Sequence, residues 1–403
     1  MRQMCKTQSS QSFYEMTNVI QEFAWGSKTS FNQLFDIDNP NNLPQAEIWM
    51  GSHPNGCSNV LMDGVQVRLS ELIDSDKDRF LSTVINRDFG ELPYLFKVLA
   101  ADSALSVQVH PNKTEAEEGF HREELAQIPI SAAYRNYRDT NHKPELVYAL
   151  TSYQAMNGFR SISEIITLFS EIDQPQLKTM LNRLIVNPLP EGLRDFFVEL
   201  LSLKSEEKNS AVEQLLLTAR EKSHEELFSL IITLSEQYPG DIGLFTPLIL
   251  NVLTLEPGEA MYLDARTPHA YLSGTGLEIM ANSDNVLRAG LTPKHIDVTE
   301  LALCTLFEEK PVETLKLTPI QNGECITFPV PVPDFKFSVY SAPLNELNSP
   351  IGAEILLPLD DELVLSHRSG ETLTVKKGRS VFIPAYVDEY SFSSKGRVAK
   401  AHS

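Results

Sequence analysis

LTLEPGEAMYL, residues 253–263, aligns without gaps on LTVKKGRSVFI, residues 373–383, with Gly258 over Gly378 and the apolar positions in step. Each segment reads as a strand, a turn centred on glycine and a second strand, because short apolar runs broken by a turn residue are what half-buried strands leave in a sequence. Two copies of one strand-turn-strand unit predict two related β-structures in one chain, each closing its own core.

The text on either side supports that reading. Up to about residue 150, stretches such as AEIWMGSHPNG (46–56) and LPYLFKVLAADSALSVQVHPN (92–112) are short apolar runs broken by Asn, Pro, Gly and Asp, the signature of strands and turns. Between about 160 and 238 the period changes. Ile162, Ile165, Ile166 and Phe169 recur at helical spacing, as do Phe196, Phe197, Leu200 and Leu201, and then Leu227, Leu230, Ile231 and Leu234. Ser161 with Glu164 and Ser223 with Glu226 fit the capping box at two helix starts, and Pro239 with Gly240 closes the last helix. The fold class is mainly β with a helical insertion: two β-barrels of the jelly-roll or cupin kind plus an all-α domain. Residues 1–150 together with 240–315 are expected to form one barrel, 155–239 the helical insertion, and 316–403 a second, C-terminal barrel.

Three short segments offer metal ligands. In SVQVHP, Gln108 and His110 are two apart, so on a strand both side chains leave the same face. In YRDTNHKPEL (137–146), Glu145 follows Pro144, which keeps Lys143 out of helix and the local chain extended. In RTPHAYL, His269 follows a second proline and brings a second imidazole. A Gln oxygen, two imidazole nitrogens and a carboxylate suit zinc better than magnesium or calcium, which prefer oxygen-only shells. A Gln-x-His pair alone is more often solvent-facing or satisfied in a core; the other two segments are what make it a site. Carried forward at the offset of the repeat, His269 falls on Glu389, near which the other ligands have no counterparts, so the second barrel is expected to hold no metal.

Size and charge bound the rest. The chain has 403 residues, 42% hydrophobic and 22% charged, enough for two or three domains of an ordinary globular protein. A net charge of −20 opposes binding to nucleic acid or anionic lipid, so an anionic substrate must be small and held by a local cluster of Lys and Arg. No segment reads as a signal peptide or membrane span, so the cytoplasm is the expected location. Cys5, Cys57, Cys304 and Cys325 lie far apart and read as reduced thiols.

FAWGSKTS (23–30), AEIWMGSHP, ELPYLFKVL, QVHPNK, YRDTNHKPE (137–145) and HAYLSGTGLEIMANSDNVLRAGLTPK (269–294) together resemble the type I mannose-6-phosphate isomerases, or phosphomannose isomerases, of the cupin superfamily. The resemblance spans essentially the whole chain, and its last two motifs are highly specific. It implies that Gln108, His110, Glu145 and His269 hold one zinc ion per chain, and that the reaction interconverts mannose 6-phosphate and fructose 6-phosphate through a cis-enediol. Whether such an enzyme is a monomer or a homodimer is not written in the sequence.

That chemistry needs a group to carry a proton between C2 and C1. Glu278, nine residues after His269 at a separation that lets the chain turn and present both into one cavity, is one candidate; Lys143 is the other. Either also has a plainer role, Glu278 as a carboxylate orienting a ligand and Lys143 as a fixed cation. His142 is placed to assist ring opening, or is a hydrogen-bonded structural histidine. Arg288, with Asp284 to orient it, is suited to neutralise the enediolate or phosphate. Lys97, Ser106 and Lys294 are the phosphate-binding candidates, Ser106 because it shares a strand face with Gln108. Two rival functions fit the fold: a cupin-type metal-dependent oxygenase, and an inactive sugar-phosphate-binding protein.

Overall fold

The computed structural model describes residues 11–403 except Asp63, so Cys5 lies outside the described residues. These form two compact units: one of residues up to Leu99 with Leu277–Met280 and Thr318–Ser403, the other of Ala100–Gly276 with Ala281–Leu317.

In the first unit, nine antiparallel strands lie side by side in the order Ile320–Asn322, Cys325–Phe328, Lys336–Ser341, Arg397–His402, Glu354–Pro358, Ser380–Ile383, Tyr14–Thr17, Asn59–Met62 and Val65–Arg68. A second sheet of four strands runs Glu346–Asn348, Tyr390–Ser394, Leu363–His367 and Thr372–Val375. Leu356, Val381 and Val398 from the larger sheet meet Leu363, Leu365 and Phe392 from the smaller in one buried cluster. Each such side chain contributes about 1.5–3 kcal/mol by leaving water. This is the face-to-face packing of a jelly roll.

The repeated segment turns out to be a corner. Thr372–Val375 belongs to the smaller sheet and Ser380–Ile383 to the larger, so the chain changes sheet at Gly378, which has φ 72 and donates its N–H to the carbonyl of Pro358 at 2.9 Å. The other copy, in the second unit, changes strand partners at its glycine while staying within one connected ten-stranded sheet. Leu250–Leu255 pairs with Tyr153–Phe159 while Ala260–Leu263 pairs with Glu145–Ala149, and Gly258, with φ 97, donates to Ala149 at 2.9 Å. Both glycines occupy the left-handed region that a side chain disfavours.

The second unit carries the helical insertion, with helices Ile162–Ser170, Pro175–Val186, Pro190–Leu201, Ser205–Glu221 and Glu226–Gln237. Ser161 and Glu164 make the expected capping box. Ser223 does not: the last of these helices starts at Glu226 with Glu225 as its N-cap and no side-chain cap, because a turn closed by Glu225 N–H to Lys222 C=O (2.9 Å) occupies the preceding residues. Phe169, Phe196, Phe197 and Ile231 of the helices share one buried cluster with Val107, Val109, Phe159 and Leu287 of the strands. The strands that carry the metal-ligand candidates are thus backed by the insertion's own apolar faces.

Candidate metal centre

His110 lies just past the strand Val107–Val109, Glu145 opens the strand Glu145–Ala149, and His269 opens the strand His269–Ala281. Pro144 and Pro268 precede the last two, and a proline at that position keeps the entering chain extended. All three side chains are buried. The Nε2 atoms of His110 and His269 lie 3.4 and 3.5 Å from the two oxygens of Glu145, and one ligand atom from each residue falls within 4.8 Å of the others. Gln108 sits directly across from His269 in the strand register and from Arg288 on its other side.

The tautomers follow from the partners. Nδ1 of His110 is 2.7 Å from the carbonyl oxygen of Asn285, and Nδ1 of His269 is 2.9 Å from that of Thr267. A carbonyl has no proton to give, so each Nδ1 carries the hydrogen and each Nε2 presents a lone pair. Burial pushes the His110 imidazole down to about 4, against the pull of Glu145, so the ring is neutral. Burial also opposes ionisation of Glu145, but the Lys143 ammonium, at 3.4 Å, pulls the other way, and the carboxyl lies well below its usual range. Three electron-pair donors therefore face one another with no hydrogen between them, and Nε2 of His110 is buried without a hydrogen-bond partner. Such an arrangement is repulsive until a cation joins it, and two imidazoles with a carboxylate fit zinc. Tyr271 fixes the carboxylate by donating to Glu145 Oε2 at 2.8 Å.

Behind the ligands, two loops are stapled together. The side chain of the fully buried Asn285 accepts from the N–H groups of Arg138 (2.6 Å) and Asp139 (3.2 Å) and donates to the carbonyls of Asp139 and Asn141 (both 2.9 Å). Asp139 reciprocates, accepting from Ser283 Oγ (2.9 Å) and Asp284 N–H (2.7 Å). One residue, Asn285, thus orients His110 through its backbone and fixes the 138–141 loop through its amide. That loop leads through His142 and Lys143 to Glu145. Its other end is anchored by Glu123, which accepts from the backbone of Asn136 (3.0 Å) and Tyr137 (2.8 Å).

The remaining candidates fall into two groups. In the second unit, Asp284 lies half-buried in the irregular segment ahead of the strand Leu287–Gly290, and Arg288 lies half-buried within that strand. Arg288 and Lys294 are both lowered from their usual values, first by burial and then by neighbouring cations, among them Arg138. Ser106 lies half-buried just ahead of Val107–Val109, and His142 lies half-buried beside Lys143. In the first unit, buried Lys97 donates to Glu278 at 2.6 Å and lies 3.9 Å from Glu47, whose other oxygen takes the Trp49 indole N–H. The chain does not turn between His269 and Glu278. Both lie on one thirteen-residue strand, with a register shift between Tyr271 and Ser273 and Gly274 at φ 110. Arg138, Asn285 and Tyr271 are not among the residues singled out from the sequence, although all three lie inside its two most specific motifs.

Two histidines and a carboxylate around one cation-sized gap, in a β-framework with a helical insertion, define a metal-dependent enzyme of the cupin fold. Residues 13–162 match the sequence profile of the phosphomannose isomerase type I catalytic domain and 162–250 that of the family's helical insertion domain. The chain belongs to the type I phosphomannose isomerase family. It is 45% identical over 393 residues to mannose-6-phosphate isomerase of Shigella flexneri (96% of this chain, 99% of that one), and 35% identical over 403 residues to that of Mus musculus (93% and 91%). Its structure is similar to that of a mutant phosphomannose isomerase from Salmonella typhimurium, with TM-score 0.94 and 44% identity, covering 98% of this chain and 100% of that one. A zinc-bound mannose 6-phosphate isomerase gives TM-score 0.93 at 44% identity, with the same coverage.

Proposed function

We propose that this protein interconverts mannose 6-phosphate and fructose 6-phosphate with one zinc ion per chain, held by Gln108, His110, Glu145 and His269. The convergence of two imidazole nitrogens, that of His110 buried without a hydrogen-bond partner, on a buried carboxylate carries this reading. When bound, zinc supplies a Lewis acid to sugar oxygens at the reacting carbons. The C2 hydrogen of the open-chain aldose leaves as a proton, its electron pair forms the C1=C2 bond of a cis-enediol, and the C1 oxygen gains a proton. A proton then returns to C1 as the C2 hydroxyl gives up its own and becomes the ketone. Glu278 or Lys143 carries the proton between the carbons, and His142 assists ring opening. Arg288 neutralises the enediolate and takes a share of the phosphate, with Asp284, four residues ahead of it, in a supporting role rather than as its ion-pair partner. Lys97, Ser106 and Lys294 grip the phosphate, Lys97 by sharing the ammonium that Glu278 already holds.

In this reading residues 1–150 with 240–315 carry catalysis, 155–239 is the insertion, and 316–403 is a barrel without metal. The enzyme works in the cytoplasm on a small sugar phosphate, with no nucleic-acid partner. No helix among the described residues is long and apolar enough to cross a membrane.

An assay coupled to fructose 6-phosphate formation tests the reading. Chelation should abolish activity and zinc should restore it, while His110→Ala should lose zinc and at least about 10³-fold in rate. A full rate in zinc-free protein refutes the proposal. Glu278→Gln and Lys143→Met are then compared for exchange of solvent deuterium into the sugar, since loss of the carrier abolishes exchange while zinc stays bound.

A further inference from the structure

Cations in the second unit are mostly paired: Arg122 with Glu300, Arg135 with Glu123 and Glu124, Lys143 with Glu145, Arg266 with Glu115. Arg138, Arg288 and Lys294 are not, for none has a carboxylate partner among the described residues. In a chain with 54 acidic residues against 34 Lys and Arg, three partnerless cations on neighbouring segments call for an explanation.

Each of the three is placed by fixed backbone. The N–H of Arg138 is held by Asn285 Oδ1 at 2.6 Å, three residues before Arg288. Arg288 pairs with Gln108, itself across from His269. Lys294 ends a turn pinned by Asp241, whose carboxylate accepts from the N–H groups of Gly243 (2.6 Å), Leu291 (2.8 Å) and Thr292 (3.2 Å), while Thr292 Oγ1 accepts from Lys294 N–H at 3.1 Å. Leu291 is held at φ 51, a conformation a leucine adopts only when its surroundings impose it. Burial and mutual repulsion depress both Arg288 and Lys294. Like charges gathered without a counter-ion cost free energy that a bound anion recovers.

We propose that Arg138 is a substrate-binding residue, the third cation of a phosphate grip formed with Arg288 and Lys294. This rests on the isomerase reading above. Arg288 is half-buried and Arg138 and Lys294 are exposed, so the grip has one inner and two outer arms. A guanidinium at the rim offers paired donors to phosphate oxygens and stays charged throughout the working pH range.

Arg138→Ala tests this in zinc-loaded protein. The KM for mannose 6-phosphate and the inhibition constant of inorganic phosphate should each rise about five- to tenfold, with kcat within about twofold and zinc content unchanged. Arg138→Lys should recover most of the loss. Unchanged KM and unchanged phosphate inhibition in Arg138→Ala overturn the inference and leave the isomerase reading standing. Loss of zinc together with kcat in both variants shows a loop-folding role and also overturns it. A zinc-loaded wild-type protein that does not isomerise mannose 6-phosphate sinks the isomerase reading instead. Calorimetric titration of wild type and Arg138→Ala with inorganic phosphate then decides the inference alone, equal affinities overturning it.

Discussion

Glu145 in the metal centre and Glu354 in the C-terminal jelly roll occupy matching positions and have opposite fates. Each opens a five-residue strand, and each pairs with the last residue of the repeated corner, Glu145 with Leu263 and Glu354 with Ile383. Each accepts a tyrosine hydroxyl, from Tyr271 at 2.8 Å and from Tyr390 at 2.7 Å. Around Glu145 stand the ammonium of Lys143 at 3.4 Å and the Nε2 atoms of His110 and His269 at 3.4 and 3.5 Å. Around Glu354 stand the ammonium of buried Lys400 at 3.4 Å and the amide of Asn348 at 2.7 Å. Each carboxylate thus has a lysine of the chain at 3.4 Å; the second unit adds two imidazole nitrogens that can hold a metal cation, whereas the first adds a neutral amide and packs. A shared strand corner therefore fixes where a carboxylate points, and the residues facing it decide whether the position binds or merely packs.

The largest effect expected from this comparison is on stability. Lys400→Met leaves Glu354 buried with no cation and should cost about 3–5 kcal/mol in denaturant unfolding, while Glu354→Gln combined with Lys400→Met should recover much of it. Zinc content should not change. Burial first and Lys400 second hold His402 at about 4, below its ordinary value. Since the folded value is the lower one, the stability owed to neutral His402 is present above about pH 6.5 and fades as pH falls towards 4. Removing Lys400 should move the His402 titration, followed by NMR, upward. If Lys400→Met unfolds like wild type, the idea of a built-in cation fails.

A middle-sized effect is expected at Asn285, which has the task in the metal centre of keeping the His110 ring aimed. Asn285→Ala keeps the carbonyl that takes the His110 Nδ1–H but removes the amide that holds it to the 138–141 loop. Zinc affinity measured by chelator competition should fall about 10–100-fold. Affinity equal to wild type would mean that the two loops hold their register without the staple.

The triad His110, Glu145 and His269 was legible in the sequence because its logic is local: a short strand leads to His110, and prolines set Glu145 and His269. The corner repeat was legible because strand and turn leave a pattern eleven residues long. Glu354 was not, because the helical insertion separates Glu145 from the corner in one copy and has no counterpart in the other, so the linear offset led from His269 to Glu389 and never to Glu354. Lys97 reads as an ordinary surface lysine until the fold buries it against Glu278, 181 residues away. The lack of an acidic partner for Arg138 is likewise a property of three-dimensional neighbours, invisible in the motif that contains it.

The smallest effect separates the two corner glycines. Both have positive φ, so alanine should cost about 1 kcal/mol at either by strain alone. At Gly258 a Cβ would meet only the Tyr148 hydroxyl, at 3.9 Å, whereas at Gly378 it would fall 2.4 Å from Cβ of Phe35. A buried phenylalanine cannot withdraw without moving its neighbours, so Gly378→Ala should cost about 1–3 kcal/mol more than Gly258→Ala in the same unfolding assay. Equal costs would mean that Phe35 yields freely. The conformation of the corner would then be what both copies require of glycine, with close packing adding nothing in the C-terminal jelly roll.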